Sequence, residues 1–281
     1  MIDLQMHSTA SDGSKKPKDL AGMVKNAGLH AAALTDHDTI EGVEEFTSEC
    51  KKLGVRAIAG TELRAPDRFE EDVDILGLFI DYKGKEINNF LNAVLKERMD
   101  RRKEMTEKII SLGYDITFEE VLAQAGGKSV GRPHIAKVLC KKYPNEFPDI
   151  TSVFKKLLDR GRSGYVPREE PTSIKKAIEV IHSANGIAIL AHPFLYKNWE
   201  EILKEFIRCK GDGVETIYQY PSEFLEKESK NIKELKKIVK DNNLLQSGGS
   251  DYHGTKSYEP GLGVLKVPDE FLKKMESRLK K

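Results

Sequence analysis

Short apolar runs alternate with stretches of helical periodicity along most of the chain. The first run is Ile2 to Met6, followed by a Ser-Asp-Gly-Ser turn and a periodic stretch from Pro17 to Gly28. There Leu20, Met23, Val24 and Ala27 share one helix face, and Gly28 is placed to end the helix. Ala31 to Thr35 reads as the next strand, with a helix from Ile40 to Leu53 behind it. Val55 to Ala59 and Val73 to Phe79 read as two more strands. Ile187 to Ala191, Val214 to Ile217 and Leu244 to Ser247 complete the series, each preceded by a helical stretch. About seven strands alternating with helices predict an α/β fold on a parallel sheet or barrel.

The middle of the chain has another pattern. From Lys96 to Tyr165 only helix signals occur: a dense charge run from Lys96 to Lys108, a capping box of Thr117 and Glu120, and Pro133 at a helix start. This predicts a barrel in two parts, 1–96 and 166–281, interrupted by a helical insertion at 97–165 that closes over one end of the barrel. Acidic residues interleave the run Lys96-Glu97-Arg98 through Arg101-Arg102-Lys103, so it reads as a solvated helix face and not a nucleic-acid patch. Across the 281 residues, 46 Lys and Arg nearly cancel 45 Asp and Glu, which argues against a grip on long duplex nucleic acid or a membrane surface. No apolar run is long enough to span a bilayer. Cys50, Cys140 and Cys209 are scattered and lack a Cys-x-x-Cys pair. With no signal-peptide pattern at Met1, the expected location is the cytoplasm.

Polar residues fall in a revealing place on these units. His7 follows the first strand, Asp36-His37-Asp38 the second, Glu62 the third, His192 the strand ending at Ala191, and Asp251-x-His253 the last. In a parallel barrel that edge is where functional groups collect, because its loops converge on one mouth. Imidazoles mixed with carboxylates suit Zn, Mn or Fe, whereas a thiolate site would have used cysteine. His30 and His182 read as ordinary surface or helix residues.

Five ordered motifs carry a resemblance. Met6-His7-Ser8 with Ser11-Asp12-Gly13, Leu34-Thr35-Asp36-His37-Asp38-Thr39, Gly60-Thr61-Glu62, Ala191-His192-Pro193-Phe194, and Gly249-Ser250-Asp251-x-His253-Gly254 resemble those of the polymerase and histidinol phosphatase (PHP) superfamily. Within it the chain is similar to stand-alone nucleoside 3',5'-bisphosphate and 5'-nucleotide phosphatases. The resemblance implies a distorted seven-stranded (β/α) TIM-like barrel with an inserted small helical domain, binding two or three divalent ions (Mn, Fe, Zn or Mg). It implies that Asp12, His37 and His253 hold one ion and that His7, Glu62 and Asp251 hold a second. Glu62 would bridge to a third ion reached by His192.

Two positions depart from the superfamily pattern. Gln5 stands where the first motif usually has a His, which would weaken the ion at His7, Glu62 and Asp251. Asp74 replaces another common His; it can still coordinate, but it favours harder ions such as Mn or Mg.

The expected activity is hydrolysis of a phosphomonoester on a small nucleotide, or at the end of a short oligonucleotide, by metal-activated water. His37, His192 and His253 are the catalytic candidates. Protonation of the leaving oxygen could fall to His192 or His253, although a ligated imidazole cannot easily do both. Arg132 and His134, flanking Pro133 at a helix start, and Arg168 are the candidate substrate contacts. Alternatives are a phosphatase for another small phosphomonoester such as histidinol phosphate, and a degenerate member that binds metal or nucleotide with little turnover.

Overall fold

A computed structural model describes residues 1–66, 72–125, 130–167, 173–220, 225–254 and 260–280. The elements in chain order are β1 (Ile2–Asp3), α1 (Pro17–Asn26), β2 (Ala31–Leu34), α2 (Val43–Leu53), β3 (Arg56–Pro66), β4 (Asp72–Leu78), α3 (Lys85–Ser111), α4 (Phe118–Ala125), α5 (Arg132–Lys142), α6 (Ile150–Val153), α7 (Ile174–Ser183), β5 (Ile187–Leu190), α8 (Trp199–Arg208), β6 (Gly213–Ile217), α9 (Leu225–Asp241), β7 (Leu245–Gly248) and α10 (Asp269–Leu279). Two compact units divide them: Met1–Phe90 with Thr172–Lys281, and Leu91–Pro171.

In the first unit the seven strands follow one another round a single sheet in sequence order. A Leu4 N–H to Gly248 carbonyl bond of 3.2 Å and a bridge between Met6 and Tyr252 bring its two edges together into a nearly closed barrel. Ile2, Leu4, Ala31, Ala33, Ile58, Leu76, Leu78, Ile187 and Ile189 form one apolar cluster, to which α10 adds Phe271, Leu272 and Met275. The opposite faces of β2 pack elsewhere: Ala32 and Leu34 meet Leu20 and Val24 of α1 and Phe46 of α2. Gly28 follows α1 with φ of +71°, a conformation that costs glycine least.

The barrel is distorted at one strand, and there the expectation of a parallel sheet needs correction. β4 runs antiparallel to both β3 and β5. Only five residues, 67–71, separate β3 from β4, too few for the crossover of about a dozen that a parallel return requires. β3 is also longer than its apolar run suggests. It pairs with β2 only from Arg56 to Ala59 and with β4 from Gly60 to Pro66, so Glu62 lies within a strand and not beyond its end.

The second unit is helical, as the middle of the sequence predicts. Thr117 and Glu120 make both bonds of a capping box, at 2.8 and 3.2 Å, ahead of α4. Pro133 sits in the first turn of α5. The core gathers Met105 and Ile109 of α3, Val121 of α4, Ile135 and Leu139 of α5, and Phe147, Val153 and Leu158.

One ion pair on the barrel unit responds to pH. His182 Nε2 at the end of α7 lies 2.7 Å from Asp212 Oδ2, which also accepts the Ala188 N–H at 2.9 Å. The hydrogen bond and charge of Asp212, working against partial burial, raise His182 above its ordinary 6.5. The stabilisation from this pair is therefore complete below the ordinary value and is lost as pH rises through the raised one. Thermal unfolding of His182→Ala should fall furthest behind the parent chain below the ordinary imidazole value of 6.5, with the gap narrowing as pH rises above it.

Candidate metal centre

The mouth of the barrel is stitched from motif to motif by short bonds. Asp36, one residue before His37, accepts the Ser8 N–H at 2.7 Å, the Ser8 hydroxyl at 2.7 Å and the Ser11 hydroxyl at 2.6 Å. A single buried carboxylate thus ties the loop after β2 to the turn that carries Asp12. That turn closes through Gly13, where a β-carbon would meet the His7 carbonyl oxygen at 2.3 Å. His7 N–H bonds to the Tyr252 carbonyl at 2.9 Å, and Glu62 exchanges backbone bonds with Asp36 and Asp38. Three mouth residues, Asp38, His192 and Asp251, have positive φ without being glycine. Backbone strain of this kind, of order 1–3 kcal/mol each, persists only where surroundings enforce it.

These bonds bring together the side chains that the motifs single out. His7, Asp12, His37 and His253 form one group, His7, Glu62 and Asp251 a second, and His37, Glu62 and Asp74 a third; within each, one ligand atom per residue lies within 4.8 Å of the others. Glu62, with no solvent exposure, is the hub. Its Oε2 lies 3.0 Å from His7 Nε2 and 3.4 Å from His37 Nδ1, and its Oε1 lies 3.3 Å from His192 Nε2. Asp251 Oδ1 is 3.2 Å from His7 Nε2, and Asp12 Oδ1 is 3.3 Å from His253 Nε2. The His7 and His253 rings stack at 4.1 Å.

The donor set fits divalent ions. Both ring nitrogens of His7, Nδ1 of His37 and Oε2 of Glu62 are buried and make no aligned hydrogen bond among the described residues. Nitrogen and oxygen atoms that approach to 3.0–3.4 Å without hydrogen-bond alignment are a donor set that a shared cation would satisfy. His253 is set up for ligation in a further way. Its Nδ1 lies 2.7 Å from the Asp251 carbonyl, which can only accept, so Nδ1 carries a proton and Nε2, beside Asp12, is the nitrogen left to ligate.

Charge in the mouth is strongly coupled. Burial opposes ionisation of Glu62, yet His37, His192 and His7 outweigh it and hold the carboxyl well below its ordinary range. Burial likewise resists charge on Asp12 and Asp251, and His253 and His7 respectively overcome it. Burial lowers His37, with His7 adding to the effect against Glu62. His192 is pushed up to about 9, against burial, by Glu62, Asp74 and Asp251.

Other side chains support the centre without appearing in any motif. Tyr196 hydroxyl accepts the Asp74 N–H at 2.9 Å and lies 3.3 Å from His192 Nδ1, linking two strands through one oxygen. Glu215, fully buried, accepts the His192 N–H at 2.9 Å and so pins the strained backbone there. Tyr218 hydroxyl donates to Asp251 Oδ2 at 3.1 Å. Pattern alone gives Tyr196 and Tyr218 no distinction from packing aromatics. Glu215 does carry a weak signal, as an acidic residue inside the expected strand Val214 to Ile217.

In the helical unit, Arg132 at the start of α5 lies over the rings of Phe154 at 5.4 Å and Tyr165 at 5.8 Å, and donates to the Leu158 carbonyl at 3.3 Å. His134 Nδ1 accepts the Gly131 N–H at 3.0 Å and serves as the helix cap. Arg168 lies outside the described residues. The expectation that the charge run is a solvated face fails at Arg102, which is only 8% exposed. It shares a face of α3 with buried Met105, Thr106 and Ile109, a spacing of three, four and seven that the dense charge conceals. Burial, together with Arg101, Arg132 and Arg98, lowers Arg102 to about 9.

The model of the family described as the PHP domain matches residues 3–245. The chain belongs to the PHP domain family. It is a metal-dependent phosphoester hydrolase with the barrel of that family. It is 32% identical over 257 residues to a 5'-3' exoribonuclease of Haemophilus influenzae, covering 89% of each chain. It is 26% identical over 260 residues to a 3',5'-nucleoside bisphosphate phosphatase of Chromobacterium violaceum, covering 90% of this chain and 87% of the other. A solved structure assigned as a metal-dependent phosphoesterase from Bifidobacterium adolescentis superposes with a TM-score of 0.78 at 29% identity, covering 99% of this chain and 96% of that one.

Both departures from the PHP pattern lie inside the centre. Gln5 is fully buried, and its Nε2 donates to Glu62 Oε1 at 3.2 Å, so its amide faces the hub as a hydrogen-bond donor. Asp74 is 8% exposed, and its Oδ2 lies 3.9 Å from His192 Nε2. Because β4 is antiparallel, its first residues lie at the same mouth as the last residues of the parallel strands. Removal of Asp36 should loosen the whole arrangement. Asp36→Ala, which strands two hydroxyls and a backbone N–H, should cost about 3 kcal/mol in urea unfolding.

Proposed function

We propose that this chain hydrolyses a phosphomonoester of a small nucleotide, a nucleoside 3',5'-bisphosphate or 5'-nucleotide, or acts at the end of a short oligonucleotide. The observation that carries the reading is the sharing of Glu62 between groups of imidazoles and carboxylates at one barrel mouth. Relatives that act on RNA and on nucleoside bisphosphates support a nucleotide as the substrate. Three free cysteines, none in a disulfide, accord with a cytoplasmic location. Among the described residues no helix is long and apolar enough to cross a membrane.

Asp12, His37 and His253 hold one ion in this reading, and His7, Glu62 and Asp251 the other. Mn2+ suits this mixture of nitrogen and oxygen donors. Bound there, the ions supply an activated water and offset charge on the phosphoryl oxygens. The protein orients the ligands. Asp251 carbonyl fixes the tautomer of His253, Tyr218 fixes one Asp251 oxygen, and the bonds to Asp36 place Asp12. His192, bridged by Tyr196 and pinned by Glu215, faces Glu62 and is the group placed to pass a proton to the leaving oxygen. Arg132 is a proposed substrate contact, its guanidinium a charge suited to a second phosphate or a nucleotide backbone. His134 contributes by holding the start of α5, and Arg168 is a further proposed substrate contact.

The test is a hydrolysis panel of AMP, a nucleoside 3',5'-bisphosphate, short oligonucleotides and histidinol phosphate, each with defined metals. Release of phosphate or mononucleotide from the nucleotide substrates is expected; turnover of histidinol phosphate alone would refute the nucleotide assignment. His37→Ala should abolish activity, whereas His182→Ala, away from the mouth, should retain it. Equal loss in both would place the centre elsewhere. Gln5→His should tighten binding of the ion at His7, Glu62 and Asp251 and raise the rate, as measured by metal titration alongside turnover.

A further inference from the structure

The three groups at the mouth are not alike in the cations that they face. Among the described residues, Asp12 and Glu62 form their ion pairs with imidazoles, which can give up a proton and become metal ligands. Asp74 turns one oxygen, Oδ2, towards His192 Nε2 at 3.9 Å, but its other oxygen meets a guanidinium. The antiparallel register of β3 and β4 sets Arg64 directly opposite Asp74, and Arg64 Nε donates to Asp74 Oδ1 at 3.0 Å. The pair is anchored on both sides. Arg64 backbone N–H bonds to Asp38 Oδ1 at 3.1 Å, and Asp74 backbone N–H bonds to the Tyr196 hydroxyl at 2.9 Å.

A guanidinium cannot deprotonate to make room for a metal. A divalent ion drawn to Glu62, His192 and Asp74 would share Asp74 with a permanent positive charge in hydrogen-bond contact, and like charges at that separation repel. At this corner the histidine common in the superfamily would be a neutral ligand. The carboxylate that replaces it here brings its own counter-ion from the neighbouring strand.

We infer that Arg64 is the built-in third cation of this centre: the chain loads two divalent ions, and the Arg64 guanidinium, held by Asp74, supplies the positive charge that a third ion would bring. Arg64 is then a positioning residue that acts through Asp74, holding that carboxylate and setting a fixed positive charge beside Glu62 and His192. The inference rests on the proposed phosphoesterase reading of the same mouth and assigns its metal count.

Metal counting tests it on the intact protein. Wild type equilibrated with saturating Mn2+ should hold two ions per chain by elemental analysis and by Mn2+ titration followed with electron paramagnetic resonance. Arg64→Ala, which frees Asp74, should hold three, and Arg64→Lys should stay at two. At a loading of two ions Arg64→Ala should lose roughly tenfold or more in kcat, and Arg64→Lys should recover most of it. Three ions on the wild type overturn the inference by themselves, even should Arg64→Ala fail to fold; so does a count of two on a folded Arg64→Ala. A wild type that hydrolyses nucleotides while holding three ions removes only the role of Arg64. One that binds fewer than two ions and hydrolyses nothing removes the phosphoesterase reading beneath it.

Discussion

Glu62 carries a charge in a place with no water to solvate it. An ionised carboxylate in such a site costs several kcal/mol unless positive charge and hydrogen bonds compensate. His7, His37 and His192 approach its two oxygens from three different strand ends, and Gln5 donates from a fourth direction. The compensation therefore comes from segments separated by well over a hundred residues, and it exists only when the barrel has nearly closed. Folding and assembly of the centre are one event. This explains why so much backbone bonding at the mouth joins one motif to another, and why strained conformations at Asp38, His192 and Asp251 are tolerated.

The same compensation separates two kinds of cation. Imidazole answers a buried carboxylate when protonated and serves as a ligand when neutral, so a His-rich surround can exchange protons for metal. Guanidinium answers the carboxylate permanently. The centre uses the first solution around Glu62 and Asp12 and the second at Asp74. One mouth thus contains positions that are electrostatically open to metal and one whose carboxylate already holds a cation. The near-zero net charge of the chain is a sum over such opposed local fields, with a carboxylate-rich mouth in one unit and the Arg132 and Arg102 guanidinium groups in the other.

Much of the barrel is legible in the sequence because its signals are local. Leu20, Met23 and Val24 mark one face of α1, the Thr117 and Glu120 pair marks the start of α4, and each expected strand starts within one residue of an observed one. β4 escapes this reading because a strand's direction is not written in its own residues; Val73 to Phe79 look the same in either sense. The short interval in the sequence between Ala59 and Val73, with no helical periodicity in it, is the available clue. Chemistry follows the same division. His7, His37, His192 and His253 are recognisable from their place at strand ends, whereas Tyr196, Glu215 and Arg64 act through contacts that only the closed sheet creates.

Asp74 shows how direction and chemistry become linked. In a wholly parallel barrel the first residues of a strand lie at the bottom, far from the mouth, and a polar residue there serves stability. Reversal of β4 moves its first residues to the mouth and sets each of them opposite a late residue of β3. The choice of residue at position 64 then becomes a choice about the metal centre, although Arg64 belongs to no metal-binding motif. A carboxylate at 74 opposite a small or apolar residue would leave an uncompensated charge that an ion could relieve; opposite arginine it finds its counter-ion within the sheet. The identity of a cross-strand pair, an ordinary variable of sheet stability, here reaches directly into how many ions the mouth can take.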